Sequence, residues 1–125
     1  MSLSNYLETA LLNHAFCGTP YTQPAGIYLS LHTANPNEGN DGHEISGGSY
    51  ARQSITGSVA SGVFTAGSMP LDFPTATGSW GTVTHVGIFD ALTNGNLLAY
   101  GALTTQRAIG DGDVYRQTSL TVSLD

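Results

Sequence analysis

Four histidines, nine carboxylates and one cysteine are the side chains of this chain suited to moving protons or holding a metal. His14, His32, His43 and His85 show neither H-x-H nor H-E-x-x-H spacing, so no local element aims two of them at one ion. The ordinary account of each is a packed or solvated ring. His85 is the most informative, because TVTHVGIF at 82–89 is the best strand pattern present. Alternation puts it beside Val83 and Phe89, opposite Val86 and Ile88, where a hydrogen-bonded role near a subunit contact is expected. The loop Asn37–Glu44 is rich in oxygen ligands but lacks the D-x-[DN]-x-[DN]-G order of a calcium loop. Asp111-Gly112-Asp113 reads first as turn chemistry. There is no G-x-S-x-G, and no acid pair can be assigned to a common cleft. Cys17 has no partner for a disulfide or a zinc knuckle, and a small buried thiol at a helix end is its expected role. No catalytic residue, metal ligand or cofactor site is therefore assigned, and a non-enzymatic chain is expected.

The aromatic and basic residues say more. Trp80, between Ser79 and Gly81, is either a core or contact residue whose N–H finds a backbone partner, or an exposed platform for a sugar ring; packing is the favoured account. Arg52, Arg107 and Arg116 are the natural partners of carboxylates, within the chain or across a subunit boundary. Together with Trp80, His85 and Tyr115 they form the set of interface candidates.

These side chains have to be positioned by a mainly β fold. Leu3, Tyr6, Leu7, Ala10, Leu11 and His14 recur at helical spacing, with Ser2 and Ser4 as possible N-caps and Gly18 as the stop, which predicts one amphipathic helix over about 3–17. Strands are expected at about 26–33, 50–58, 62–65, 69–73, 82–89, 97–103 and 114–124. Asn94-Gly95 is a strong hairpin signal, because a type I′ turn needs positive φ at both central residues, so 82–89 and 97–103 should pair antiparallel. In the last run Val114, Thr118, Leu120, Val122 and Leu124 are expected on one buried face. Residues 34–48 read as a long polar surface loop. The sum is a single domain over 1–125, an antiparallel β-sandwich or jelly-roll-like fold with one N-terminal helix.

Composition narrows the partners. The chain has 125 residues, only 10% of them charged, with three Arg, no Lys and a formal net charge of -6. Its polarity comes from hydroxyls, and a hydrophobic fraction of 40% rules out a disordered chain. Three cations cannot neutralise a run of phosphates, so nucleic acid and anionic membranes are excluded as partners. The first 20 residues lack the n-region and apolar core of a signal peptide, and synthesis as a soluble chain in the cytoplasm is expected. A surface poor in charge and free of Lys suits burial against other protein. The acids that remain, Glu38, Asp41, Glu44, Asp111 and Asp113, are expected to face solvent from loops.

The segments SNYLETALLNHAF at 4–16, GGSYARQ at 47–53, FPTATGSWGTVTHVGIFDA at 73–91 and GNLLAYGALTT at 95–105 resemble a family of short phage virion proteins. That family is commonly labelled tail-fibre or tail-associated, with relatives among head-decoration (cement) proteins. The resemblance implies a structural component of the virion, made in the host cytoplasm. Its partners would be other virion proteins, capsid or tail, and further copies of itself, with a trimer as the expected symmetry. The alternative from a different class is a module for a host glycan or receptor, with Trp80, Tyr21 or Tyr50 stacking on a sugar and the 34–48 loop framing the site.

Overall fold

The computed structural model of the chain describes residues 1–123. Its elements run β1 (Ser2–Leu3), α1 (Asn5–Phe16), β2 (Ile27–His32), β3 (Gln53–Ile55), β4 (Gly57–Ala60), β5 (Val63–Ala66), β6 (Leu71–Asp72), β7 (Gly81–Phe89), β8 (Leu97–Ile109), β9 (Arg116–Gln117) and β10 (Thr121–Ser123). The fold is mainly antiparallel β with one helix, as the sequence predicts. A five-stranded sheet has the order β1-β8-β7-β2-β3, a three-stranded sheet the order β10-β5-β4, and β6 pairs with β9.

The helix starts where a side chain supplies the missing acceptor. Ser4 Oγ accepts from the Leu7 amide at 3.2 Å and itself donates to the Leu97 carbonyl, so one hydroxyl caps α1 and ties it to β8. Gly18, at φ 70°, reverses the chain after Cys17, whose thiol is exposed and not buried as expected, because the helix end stands clear of the sheet. Leu7, Ala10 and Leu11 are half-buried and no residue of α1 is fully buried, whereas Leu12 and Phe16 stand on its outer face. Leu3, expected within the helix, instead joins Ser2 in β1, against Ala99 and Tyr100.

Register defines the two faces of the large sheet. Leu29 opposes Ile88 and Leu31 opposes Val86, and these four join Ile55, Phe73, Trp80, Tyr115 and Leu120 in one buried cluster fed by all three sheets, a sandwich-like arrangement. On the opposite face Ser30 lies across from Gly87 and His32 from His85. That face is covered as well: Leu29, Ser30, Leu31 and His32 are all fully buried. A register shift between Val83 and His85 corrects the simple alternation, placing Val83 in the core with Val86 and Ile88 while His85 turns to the other side.

Three further expectations are revised. The run 50–58 is two strands, β3 and β4, broken at Thr56, because β3 pairs with β2 and β4 with β5 in a different sheet. Strand β8 continues to Ile109, six residues past its expected end, because its distal half pairs again with Gly81, Thr82 and Val83. The run 114–124 crosses from β6 to β5 between β9 and β10, so its burial changes parity: Tyr115 and Leu120 are buried and Val114 is exposed. Leu124 lies outside the described residues.

Candidate functional site

The densest polar cluster lies where the 34–48 segment meets β3 and the β7–β8 turn. That segment is not a free loop. His32 forms a bridge with Glu44, the Thr33 amide donates to the His43 carbonyl, and the Ile45 amide donates to the Leu31 carbonyl, so Ile45 drops into the core. This pairing points Glu44 inward, at Arg52. The β7–β8 connection brings the other wall, with Asn94 at φ 55° and Gly95 at φ 76° turning the chain and the Asp90 carboxylate holding the Asn96 amide at 2.7 Å.

Arg52 joins the two walls. Its Nε and Nη2 donate to the two oxygens of Glu44 at 2.9 and 2.8 Å, and Nη1 donates to the carbonyls of Ala91 and Asn94 at 2.8 and 2.7 Å. All but one of the donors a guanidinium carries are thereby used. The Tyr50 hydroxyl donates to Glu44 at 2.6 Å and accepts from the Leu31 amide. The guanidinium carbon sits 3.7 Å from the centre of the Phe89 ring, and His32 lies nearly parallel to that ring at 6.1 Å. His32 Nδ1 donates to the Gly42 carbonyl at 3.0 Å, which leaves Nε2 to accept from Ser30 Oγ at 2.9 Å. Among the described residues no buried side-chain nitrogen or oxygen lacks a partner.

The electrostatics follow from burial and pairing. Burial alone would raise the Glu44 carboxyl, but the hydrogen bonds from Arg52 and Tyr50 outweigh it and hold the group below the usual carboxylate range. Burial, then the bond to Glu44, pushes the Tyr50 phenol up. Burial pushes His32 down, against the opposing pull of the Gly42 carbonyl and Glu44, and the net lowering favours the neutral ring. Every group with chemical potential here is committed to another group of the chain. The arrangement is a clasp that fixes loop to turn. Above it is an open groove of about 650 Å³ edged by Asn40, Ser46, Leu92, Thr93 and Asn94.

The residues singled out from sequence fall into two groups. Arg52, Trp80 and Tyr115 are buried within the chain: Trp80 is 4% exposed, donates to the Gly48 carbonyl at 2.9 Å and meets Tyr50 edge to face, and Tyr115 packs edge to face on Phe73 with its hydroxyl on Gln117. Burial pushes the Tyr115 phenol up to about 12. Arg107 and Arg116 are exposed, Arg116 in a two-bond pair with Asp72, and His85 is half-buried with Nδ1 2.8 Å from Thr84 Oγ1. Glu38, Asp41, Asp111 and Asp113 face solvent as expected. Glu44 does not, because Arg52 and Tyr50 draw it inward; its side chain is 22% exposed. Glu44, expected as a solvent-facing acid, His32, expected as an ordinary packed or solvated ring, and Ser30 are the clasp residues that the sequence did not mark as a site. The available signal was Ile45, the one large aliphatic side chain in a polar stretch, which had to be buried and carries its neighbour with it.

A family described as podophage GP4 fiber I protein gp80 has a model that matches residues 2–125 of this chain. No curated protein matches it.

Proposed function

Because this chain belongs to the podophage GP4 fiber I protein family, we propose that it is a non-enzymatic, single-domain component of a phage fiber, working by packing against other virion proteins and further copies of itself. The family match over residues 2–125 carries this reading. The clasp supports it, since a particle component needs fixed surfaces more than free reactive groups. The low charge supports it too, because a surface with three cations leaves few charges to desolvate on assembly. Trimeric self-association is the symmetry proposed for the assembled unit, and the particle is its place of action.

Labelling of intact virions with an antibody to the purified chain, or density in a virion map, tests the location. Signal at the tail fibers is expected. Signal on the head lattice would overturn the fiber reading in favour of a decoration protein. One observation favours a second reading, binding of a host glycan: the groove above the clasp is edged by amides and hydroxyls. The aromatic platform anticipated for it is absent at Trp80, which is buried. A glycan array probed with the parent and with Asn94→Gly, which keeps the positive φ of the turn, separates the two, and a signal lost in the variant would establish glycan binding.

A further inference from the structure

Among the described residues the most exposed strand is β4, and no strand pairs with its outer edge. All four of its residues are exposed, Val59 to 70%, and it ends the order β10-β5-β4. Edge strands are ordinarily blunted by charge, Pro or a bulge. Here none of these is present: from Gln53 to Leu71 not one side chain is charged, Pro70 lies beyond the hairpin, and the β4–β5 register is unbroken.

The turn geometry says which groups face outward. Ser61 at φ 52° and Gly62 at φ 78° form a two-residue turn closed by Ala60 and Val63. In such a hairpin the closing pair is hydrogen-bonded, so Ala60 and Ser58 direct their amide and carbonyl groups toward β5. Gly57 and Val59 then direct theirs outward. A row of unpaired backbone donors and acceptors fits an extended strand and nothing else so well.

We infer that β4 pairs antiparallel with β4 of a second copy of this chain, about a two-fold axis at Ser58. The inference rests on the reading of the chain as a self-assembling fiber component and names the surface it uses. The register follows from the outward groups, which place Val59 opposite the partner's Gly57. At Gly57 a side chain would run into the Thr65 carbonyl oxygen and meet the Phe64 ring at 2.8 Å, so the position has to stay bare and sets no opposing side chain against the exposed Val59 of the other copy. Charge favours the same occupant. Two chains of net charge -6 repel over most of their surface, and a neutral edge is where they can meet.

The test uses the full chain carrying Cys17→Ser, which removes the exposed native thiol. At the axis the two Ser58 positions form a non-hydrogen-bonded pair with Cα atoms about 4.5 Å apart, within the disulfide range. Ser58→Cys should therefore cross-link copies under mild oxidation at least tenfold faster than Ser61→Cys in the turn. Val59→Lys, a change at an exposed side chain, should halve the mass measured by sedimentation, whether the unit joined is a monomer or a trimer, with circular dichroism unchanged. Equal cross-linking at 58 and 61, or a mass unaltered by Val59→Lys, overturns the edge pairing while leaving self-assembly standing. A parent chain that sediments as a monomer at all concentrations overturns both, and the fiber location is then judged on virions alone.

Discussion

Arg52 stands at the centre of the candidate site because removing it strands what it satisfies. Arg52→Ala leaves the part-buried Glu44 carboxylate and the carbonyls of Ala91 and Asn94 without their donor. Leaving part-buried groups unpaired in this way costs about 1–3 kcal/mol, to be read in urea unfolding. Arg52→Lys should recover only part of it, since an ammonium cannot reproduce the fork. Gly87 is a second single-residue constraint. A methyl there meets Ser30 Oγ at 2.8 Å, Leu97 Cδ1 at 2.9 Å and His32 Nε2 at 3.0 Å, all on buried residues. Gly87→Ala is expected to destabilise by about 1–3 kcal/mol through overpacking, seen as a lower melting temperature. Acid should weaken the clasp in two stages. His32 and Glu44 both have folded values below their unfolded ones. The stability each adds is complete above the unfolded value and is lost as pH falls through it toward the folded value. Loss should begin below about 6.5, the ordinary histidine value, and resume below about 4.3, the ordinary glutamate value. Melting temperature measured against pH checks this, and His32→Asn should flatten the first stage.

At the scale of elements, legibility in sequence tracked how local the determining contact was. The pairing of β7 with β8 follows from Asn94-Gly95, whose backbone requirement is written into two adjacent residues. The Ser4 cap is equally local. By contrast, the clasp depends on Glu44 reaching Arg52, eight residues away along the chain, and on carbonyls about forty residues further on, which no local pattern encodes. The run 114–124 failed differently: its alternation is real, but a switch of sheets between β9 and β10 inverts the buried parity without interrupting the pattern. Two-residue β1 falls below any periodic signal. The central strand also tests the core face directly. Val86→Asp or Ile88→Asp buries an unpaired carboxylate between β2 and β8 and should abolish soluble expression. An unchanged melting temperature for either variant would refute the assigned face.

For the whole molecule, the charge shortage is organised. One cation is consumed in the clasp, one pairs with Asp72 on the surface, and the acids sit mostly in exposed turns. Trypsin cuts after Arg or Lys, and this chain offers it only the bonds after Arg52, Arg107 and Arg116. The first follows a buried side chain at the start of β3, the second lies within β8 and the third within β9. A protease must draw such a bond out as an extended strand, so digestion has to wait for the sheets to open. Tryptic half-life in rising urea should therefore follow global unfolding for the bonds after Arg52 and Arg107, with local cleavage confined to the bond after exposed Arg116 in two-residue β9. The scarcity and placement of its basic residues should thus make the folded chain a far slower substrate for trypsin than the unfolded one.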